Sequence, residues 1–309
     1  MKDEGGVVED VRGRVFLTDL FPRRIVSLVP SITETLFDFG CADRLIARTD
    51  YCVHPAETSR IPSIGGTKNP DLGAIRSLQP DLVFANQEEN RKADVDVLEA
   101  SGIPVFLTFP CSVSQAIEDL DRIAALLDVS PTAREIILPI RKMARNLRSH
   151  VRPFVSVFVP IWRDPWMTFN AETFAHDLLS ILGLHNVFAD RDRRYPLAAD
   201  LDRAEPKSVD GRDTRYPRVT LEEVAARRPQ RVLLPDEPYV FGQADADEVA
   251  RALDLPDACV RLIDGSWLFW HGTRMRHALS ELTFVRFFDL TSVRQGGHPS
   301  AVAPEANLK

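Results

Sequence analysis

A chain of 309 residues with 27% charged side chains, a net charge of −7 and 44% hydrophobic residues has the composition of a water-soluble globular protein. It has no basic stripe of the kind that tracks nucleic acid, and no apolar run reaches the ~18 residues of a membrane span. Four cysteines, Cys41, Cys52, Cys111 and Cys259, show neither CxxC nor zinc spacing and read as unmetallated thiols.

Residues 1–23 are a polar lead-in with a short strand at Arg14 to Leu17. They lack the apolar stretch of a secretory signal, so the sequence predicts a cytoplasmic protein. Arg24 to Val29 is β-branched and apolar and predicts a buried strand. Ser31 and Glu34 have capping-box spacing, and the helix they open carries Ile32, Leu36 and Phe39 to Gly40. Such a strand-to-helix turn offers free N–H groups at a sheet edge, which puts Pro30 and Ser31 among the candidate ligand contacts.

Alternation continues. Arg44 to Arg48 predicts a strand, Asp50 to Pro55 a loop bearing Tyr51 and His54, and Ile64 to Pro70 a glycine-containing loop bearing Lys68 and Asn69. Asp71 caps a helix with Leu72, Ile75 and Leu78 inward, Pro80 ends it, and Asp81 to Ala85 is a strand. After the polar loop of Asn86 to Arg91, Lys92 to Ser101 is helical and Pro104 to Thr108 a strand. A βα array of this kind predicts a mostly parallel sheet with helices on its faces. Ser112 to Leu127 and a segment opening at Pro131 are helical, with Pro139 expected to kink or break the second.

The pattern then restarts. Phe154 to Val159 is a strand, Thr173 to Leu182 a helix, and Asp190 to Arg218 a charged surface loop. Thr220 caps LEEVAARR, Pro229 follows, and Arg231 to Leu234 is a strand. A helix at Asp245 to Leu253, a strand at Val260 to Ile263 and a helix at His271 to Asp289 close the array, and 291–309 reads as a disordered tail. LGAIRSLQPDLVFA and LEEVAARRPQRVLLP share one plan of short helix, proline and apolar strand. That repeat predicts an α/β protein of two Rossmann-like lobes: lead-in 1–23, N-terminal lobe 24–129, linking helix 130–150, C-terminal lobe 151–290, tail 291–309. A ligand cleft between the lobes follows.

All four tryptophans, Trp162, Trp166, Trp267 and Trp270, fall after strands of the second lobe and are candidate ligand contacts. Lys68, Arg91 and Arg274 are candidate partners for ligand carboxylates or phosphates, and Asn69 and Asn86 for amides. Tyr51 joins them from its loop. No HxxxH, HExxH, P-loop, GxGxxG or GxSxG occurs, so no catalytic or metal residue is assigned and no enzyme is expected. Glu88 and Glu89 read as a solvated acidic loop.

RRIVSLVPSITETLFDFG, GGTKNPDLGAI, LQPDLVFA and VTLEEVAARRPQRVLL resemble the class III, helical-backbone substrate-binding proteins of ABC importers, nearest their cobalamin-binding branch, over about residues 10–290. The resemblance implies two lobes on a rigid helix, a corrinoid or other metal chelate as a non-covalent ligand in the cleft, a monomer, a periplasmic site of action and an ABC permease as partner. It places a ligand-stacking aromatic on Tyr216, and Thr67 and Asn86 at two further aromatic positions. It also places the permease-docking acid of the second lobe on Glu222, and that of the first on Gly73. A cytoplasmic chelate chaperone or sensor of the same descent is the alternative, and an enzyme using the cleft is a second alternative.

Overall fold

The computed structural model describes residues 6–19, 21–149 and 155–287, with side chains to Leu282. An antiparallel hairpin, β1 (Val7–Glu9) and β2 (Val15–Leu17), precedes the first α/β unit. That unit runs β3 (Ile25–Ser27), α1 (Pro30–Asp38), β4 (Leu45–Arg48), a small hairpin β5 (Gly65–Gly66) and β6 (Asn69–Pro70), α2 (Leu72–Leu78), β7 (Leu82–Asn86), α3 (Lys92–Ala100) and β8 (Val105–Thr108). Helices α4 (Val113–Leu126) and α5 (Ser130–Ser149) follow. The second unit runs β9 (Val155–Phe158), α6 (Phe174–Ile181), β10 (Leu184–Asn186), α7 (Leu197–Asp200), α8 (Leu221–Arg227), β11 (Arg231–Pro235), α9 (Gln243–Ala252), β12 (Val260–Ile263), α10 (Ser266–Phe269) and α11 (Met275–Phe287).

The strands form two parallel four-stranded sheets, in the orders β4-β3-β7-β8 and β10-β9-β11-β12. Each takes its own strands in the order second, first, third, fourth, so the repeat legible in the sequence is a repeat of topology. The matching helices agree in detail. Asp71 caps α2 by accepting from Ala74 N, and Thr220 caps α8 by accepting from Glu223 N. Gln79 and Arg228 end them in the left-handed conformation, at φ 46° and 49°, each just before a proline. Parallel strands need crossover helices, and both sheets therefore carry all their strand ends, and the loops after them, on one edge.

Apolar side chains on α4, α5, α6 and α11 tie the two lobes into one continuous core, with Ile123, Ile137, Ile140, Leu178 and Leu279 all buried. Helix α5 is unbroken at Pro139. Its buried positions, Ala133, Ile137, Ile140 and Ala144, lie on one stripe, whereas Pro139 and Glu135 are exposed. The carbonyl that Pro139 leaves without its N–H is thus on a residue open to water, which satisfies it and removes the reason to break.

The first turn of α1 also departs from expectation. The N-cap is Val29 with Pro30 at the first helical position, and no side chain caps it. Proline at that position needs no N–H and carries the helical φ already, so the helix starts two residues earlier than a Ser31 cap requires. The capping box does not form. Ser31 is buried with its Oγ unpartnered, and Glu34 turns to the other lobe. The expected tail at 291–309 lies outside the described residues, among which no helix is long and apolar enough to cross a membrane.

Candidate functional site

The loops after the strands of both sheets meet at a seam between the lobes. At its base, α1 faces the segment that leads into α11. Arg274 grips Glu34 with two parallel bonds, Nε to Oε2 at 2.7 Å and Nη2 to Oε1 at 2.8 Å. Thr273 N donates to Thr35 Oγ1 at 3.2 Å. Gly272 between them sits at φ +115°, and a Cβ there would lie 2.7 Å from Thr35 Oγ1 and 3.1 Å from the Ser31 carbonyl oxygen. Only glycine lets the two backbones approach this closely.

Above this base Asn86, at the end of β7, meets His271. The amide Oδ1 of Asn86 accepts from Glu88 N at 2.8 Å and Glu89 N at 3.3 Å. That fixes its Nδ2 as the donor to Thr108 Oγ1 and to His271 Nε2, each at 3.2 Å. The His271 nitrogen accepting this bond holds no proton, and burial depresses the imidazole from 6.5 to about 4. Such a group contributes its stabilisation above pH 6.5 and loses it as pH falls toward 4. Unfolding curves of wild type and His271→Gln at pH 7 and pH 5 are expected to show wild type losing about 2 kcal/mol more than the variant over that interval, and equal losses would contradict a neutral buried His271.

The next layer is a clasp. Glu88, in the loop after β7, accepts from Arg215 Nη1 at 2.6 Å and from the hydroxyl of Tyr216, both on the loop between α7 and α8. Asp213 holds the same guanidinium from its own lobe, through Nε at 2.9 Å and Nη2 at 2.7 Å. Arg215 also lies over the ring of Phe109 at 4.7 Å. Beside the clasp the lobes leave an opening of about 610 Å³, lined from one by Gln87, Phe109, Cys111 and Gln115 and from the other by Glu172 and Arg215. Glu89 of the first lobe also meets the repulsion of the Glu237 carboxylate from the second. Burial, reinforced by that repulsion and by neighbouring carboxylates, raises Glu89 to about 8; burial with Asp236 and Asp264 raises Glu237 to about 7.

The expected contacts divide accordingly. Asn86 and Tyr216 stand in the seam, Lys68 bonds the Glu88 carbonyl, and Tyr51 is open to solvent at 61% exposure over Gly66. Pro30 and Ser31 are buried within the first turn of α1 rather than presented, and Asn69 is exposed beside Gly66. Arg91 is exposed and bound to Asp94, with its guanidinium in α3's own first turn rather than in the seam. The tryptophans do not form one surface. Trp166 is buried and stacked on Phe241 with rings 5.8 Å apart. Trp270 is buried against His54 at 5.6 Å and under Arg274, so both of these serve lobe packing. Trp267 packs against the main core, and Trp162, 43% exposed, leans on Tyr239. Arg274 is committed to Glu34 and is no free ligand cation.

Glu88 and Glu89 are not a solvated loop: both are half-buried in the seam. Glu88, Arg215, Glu237 and the pairing of Glu34 with Arg274 escape a reading of the sequence, because each depends on a partner far away in the chain. Glu222 is exposed on the first turn of α8, and Gly73 holds the matching place on α2. No group of three metal-ligating side chains occurs among the described residues.

Comparison with known proteins follows the same lines. A family model described as periplasmic binding protein matches residues 25–234. A curated vitamin B12-binding protein of Yersinia pestis (strain Pestoides F) is 26% identical over 242 residues, covering 78% of this chain and 77% of its own. Among solved structures, the periplasmic vitamin B12 binding protein BtuF of Vibrio cholerae superposes with a TM-score of 0.66 at 19% identity, over 85% of this chain and 96% of its own. A periplasmic haem binding protein from Pseudomonas aeruginosa gives 0.67 at 18% identity, over 85% and 92%.

Proposed function

This chain belongs to the periplasmic binding protein family, and from that membership we propose that it holds a corrinoid, or another metal chelate, between its lobes as the substrate-binding component of an ABC importer. A solute-binding role without catalysis is the family's own. The observation that carries the finer reading is the 610 Å³ opening lined by both lobes at the strand ends, beside Tyr216. Its lining combines the ring of Phe109 with the amides of Gln87 and Gln115 and the hydroxyl of Ser112, and Glu172, Asp213 and Arg215 give it a charged edge. That suits a large ligand with a flat conjugated face and peripheral amides. The relatives named for binding vitamin B12 or haem support this class of ligand.

The relatives give a cytoplasmic reading no support, and we place the protein with its family outside the cytoplasm. Coupling to a permease would use Glu222, whose carboxyl is held below the usual range by hydrogen bonds at the start of α8. Gly73 on the matching turn of α2 offers no second acid. That single observation favours the second reading, a chelate carrier without a permease.

The test is a calorimetric and tryptophan-fluorescence titration with cyanocobalamin, haem and a ferric hydroxamate. Saturable one-to-one binding of cyanocobalamin, tighter than that of the other two, is expected. A protein that answers to none of the three would defeat the proposal.

A further inference from the structure

The clasp between the lobes spends the hydroxyl of Tyr216 entirely within the protein. Glu88 is the acceptor for both that hydroxyl and Arg215, and it approaches them from the opposite lobe. Its own placement is fixed, because its backbone N–H is held by Asn86 and its carbonyl by Lys68. Arg215 in turn is pinned by Asp213, so the carboxylate meets a cation that cannot swing away. The side chains of Glu88 and Arg215 are 32% and 15% exposed, which puts this junction at the mouth of the opening rather than in bulk water.

We propose that Glu88 is the positioning residue of the ligand cleft: by joining Tyr216 and Arg215 across the seam it sets the orientation of the Tyr216 ring and the spacing of the lobes that receive the ligand. Glu88 itself need not touch the ligand. The proposal rests on the solute-binding reading above, and it adds that the tyrosine presents ring, not hydroxyl, to what binds. The effect on Tyr216 has a signature independent of ligand. Burial and the adjoining carboxylate both hold the phenol above its ordinary ionisation range, so removing the carboxylate relieves one of the two causes.

The experiment has two arms on Glu88→Ala and Glu88→Gln. Tyrosinate absorbance is followed as pH is raised from 9 until tyrosinate appears, and the Tyr216 contribution is taken by difference against Tyr216→Phe. In both variants Tyr216 is expected to ionise at a pH where the wild-type residue is still a phenol. Cyanocobalamin affinity is expected to fall about tenfold or more in Glu88→Ala and less in Glu88→Gln, which keeps an acceptor for the hydroxyl. An unmoved Tyr216 titration overturns the clasp, and so does Glu88→Ala binding cyanocobalamin as tightly as wild type or more tightly. If wild type binds no cyanocobalamin, the functional reading fails, while the tyrosinate arm still decides whether Glu88 fixes Tyr216. Should Glu88→Ala not fold by near-ultraviolet circular dichroism, Glu88→Gln carries both arms.

Discussion

Arg274→Ala is expected to cost about 3–5 kcal/mol of stability, the usual result of removing one partner from a buried charge pair. The side chains of Arg274 and Glu34 are only 10% and 14% exposed, so little water is at hand to screen what is left. Glu34 would keep a carboxylate with both oxygens desolvated and neither bidentate bond. Ser266 Oγ, which accepts from Arg274 Nη1 at 3.2 Å, and the ring of Trp270, with the guanidinium 4.9 Å away, would lose the same partner. Domains of this size are stable by roughly 5–15 kcal/mol, so the loss is a large share of the whole. Urea unfolding at pH 7 checks it. The double variant Glu34→Met with Arg274→Met should recover much of the loss, because two apolar groups leave no charge unpaired. A loss below about 1 kcal/mol in Arg274→Ala would mean that the pair is solvated and does not fasten the lobes.

Why this pair was hidden and the sheets were not is a matter of range. Strand and helix signals are local. Val26 and Val83 announce buried strands by their neighbours, and Asp71 and Thr220 announce caps within three residues. The repeat of α2-β7 in α8-β11 needed only two local patterns to be compared, so the two-lobe α/β architecture was legible. Ser31 and Glu34 misled because a capping box is also a local pattern, and Pro30 already supplied the helix start that it would have provided. Glu34 was then free to meet a residue 240 positions away. Strand β10 is not legible in the sequence, because Leu184, His185 and Asn186 are too few to show a period. Trp166 and Trp270 looked like ligand contacts for a similar reason. Each follows a strand, and nothing nearby in the chain predicts Phe241 under the one or His54 beside the other.

The charged segment after β10 shows the same limit from the opposite side, and it gives the second large effect. By composition it is a surface loop, yet Asp200 within it is wholly buried. One of its oxygens accepts from Arg191 Nη1 at 3.0 Å and Arg194 N at 2.9 Å, and the other from Arg218 N at 2.7 Å. Arg191 returns a bond to the Asp200 carbonyl at 2.7 Å and reaches Glu223 on α8 at 3.1 Å. One carboxylate thus ties the two ends of the loop together, and Arg215 and Tyr216 are presented to the seam from the extended stretch that ends at Arg218, which bridges Met167. Asp200→Ala leaves a nearly buried guanidinium and two backbone N–H groups short of an acceptor, and is expected to cost about 3–5 kcal/mol. Asp200→Asn should lose less, since one oxygen remains, but its amide sets a donor against either Arg218 N or the Arg191 side of the knot. Trypsin should then cut the alanine variant among Arg191, Arg193, Arg194, Arg203 and Arg212 well before wild type, while sites in α5 keep their wild-type rates. Early cleavage confined to that segment, with cyanocobalamin affinity falling in step, would show that the loop's order is what delivers Tyr216 to the cleft. A wild-type digestion pattern in Asp200→Ala would show instead that the contacts of Asp213 and Tyr195 hold the loop without the knot.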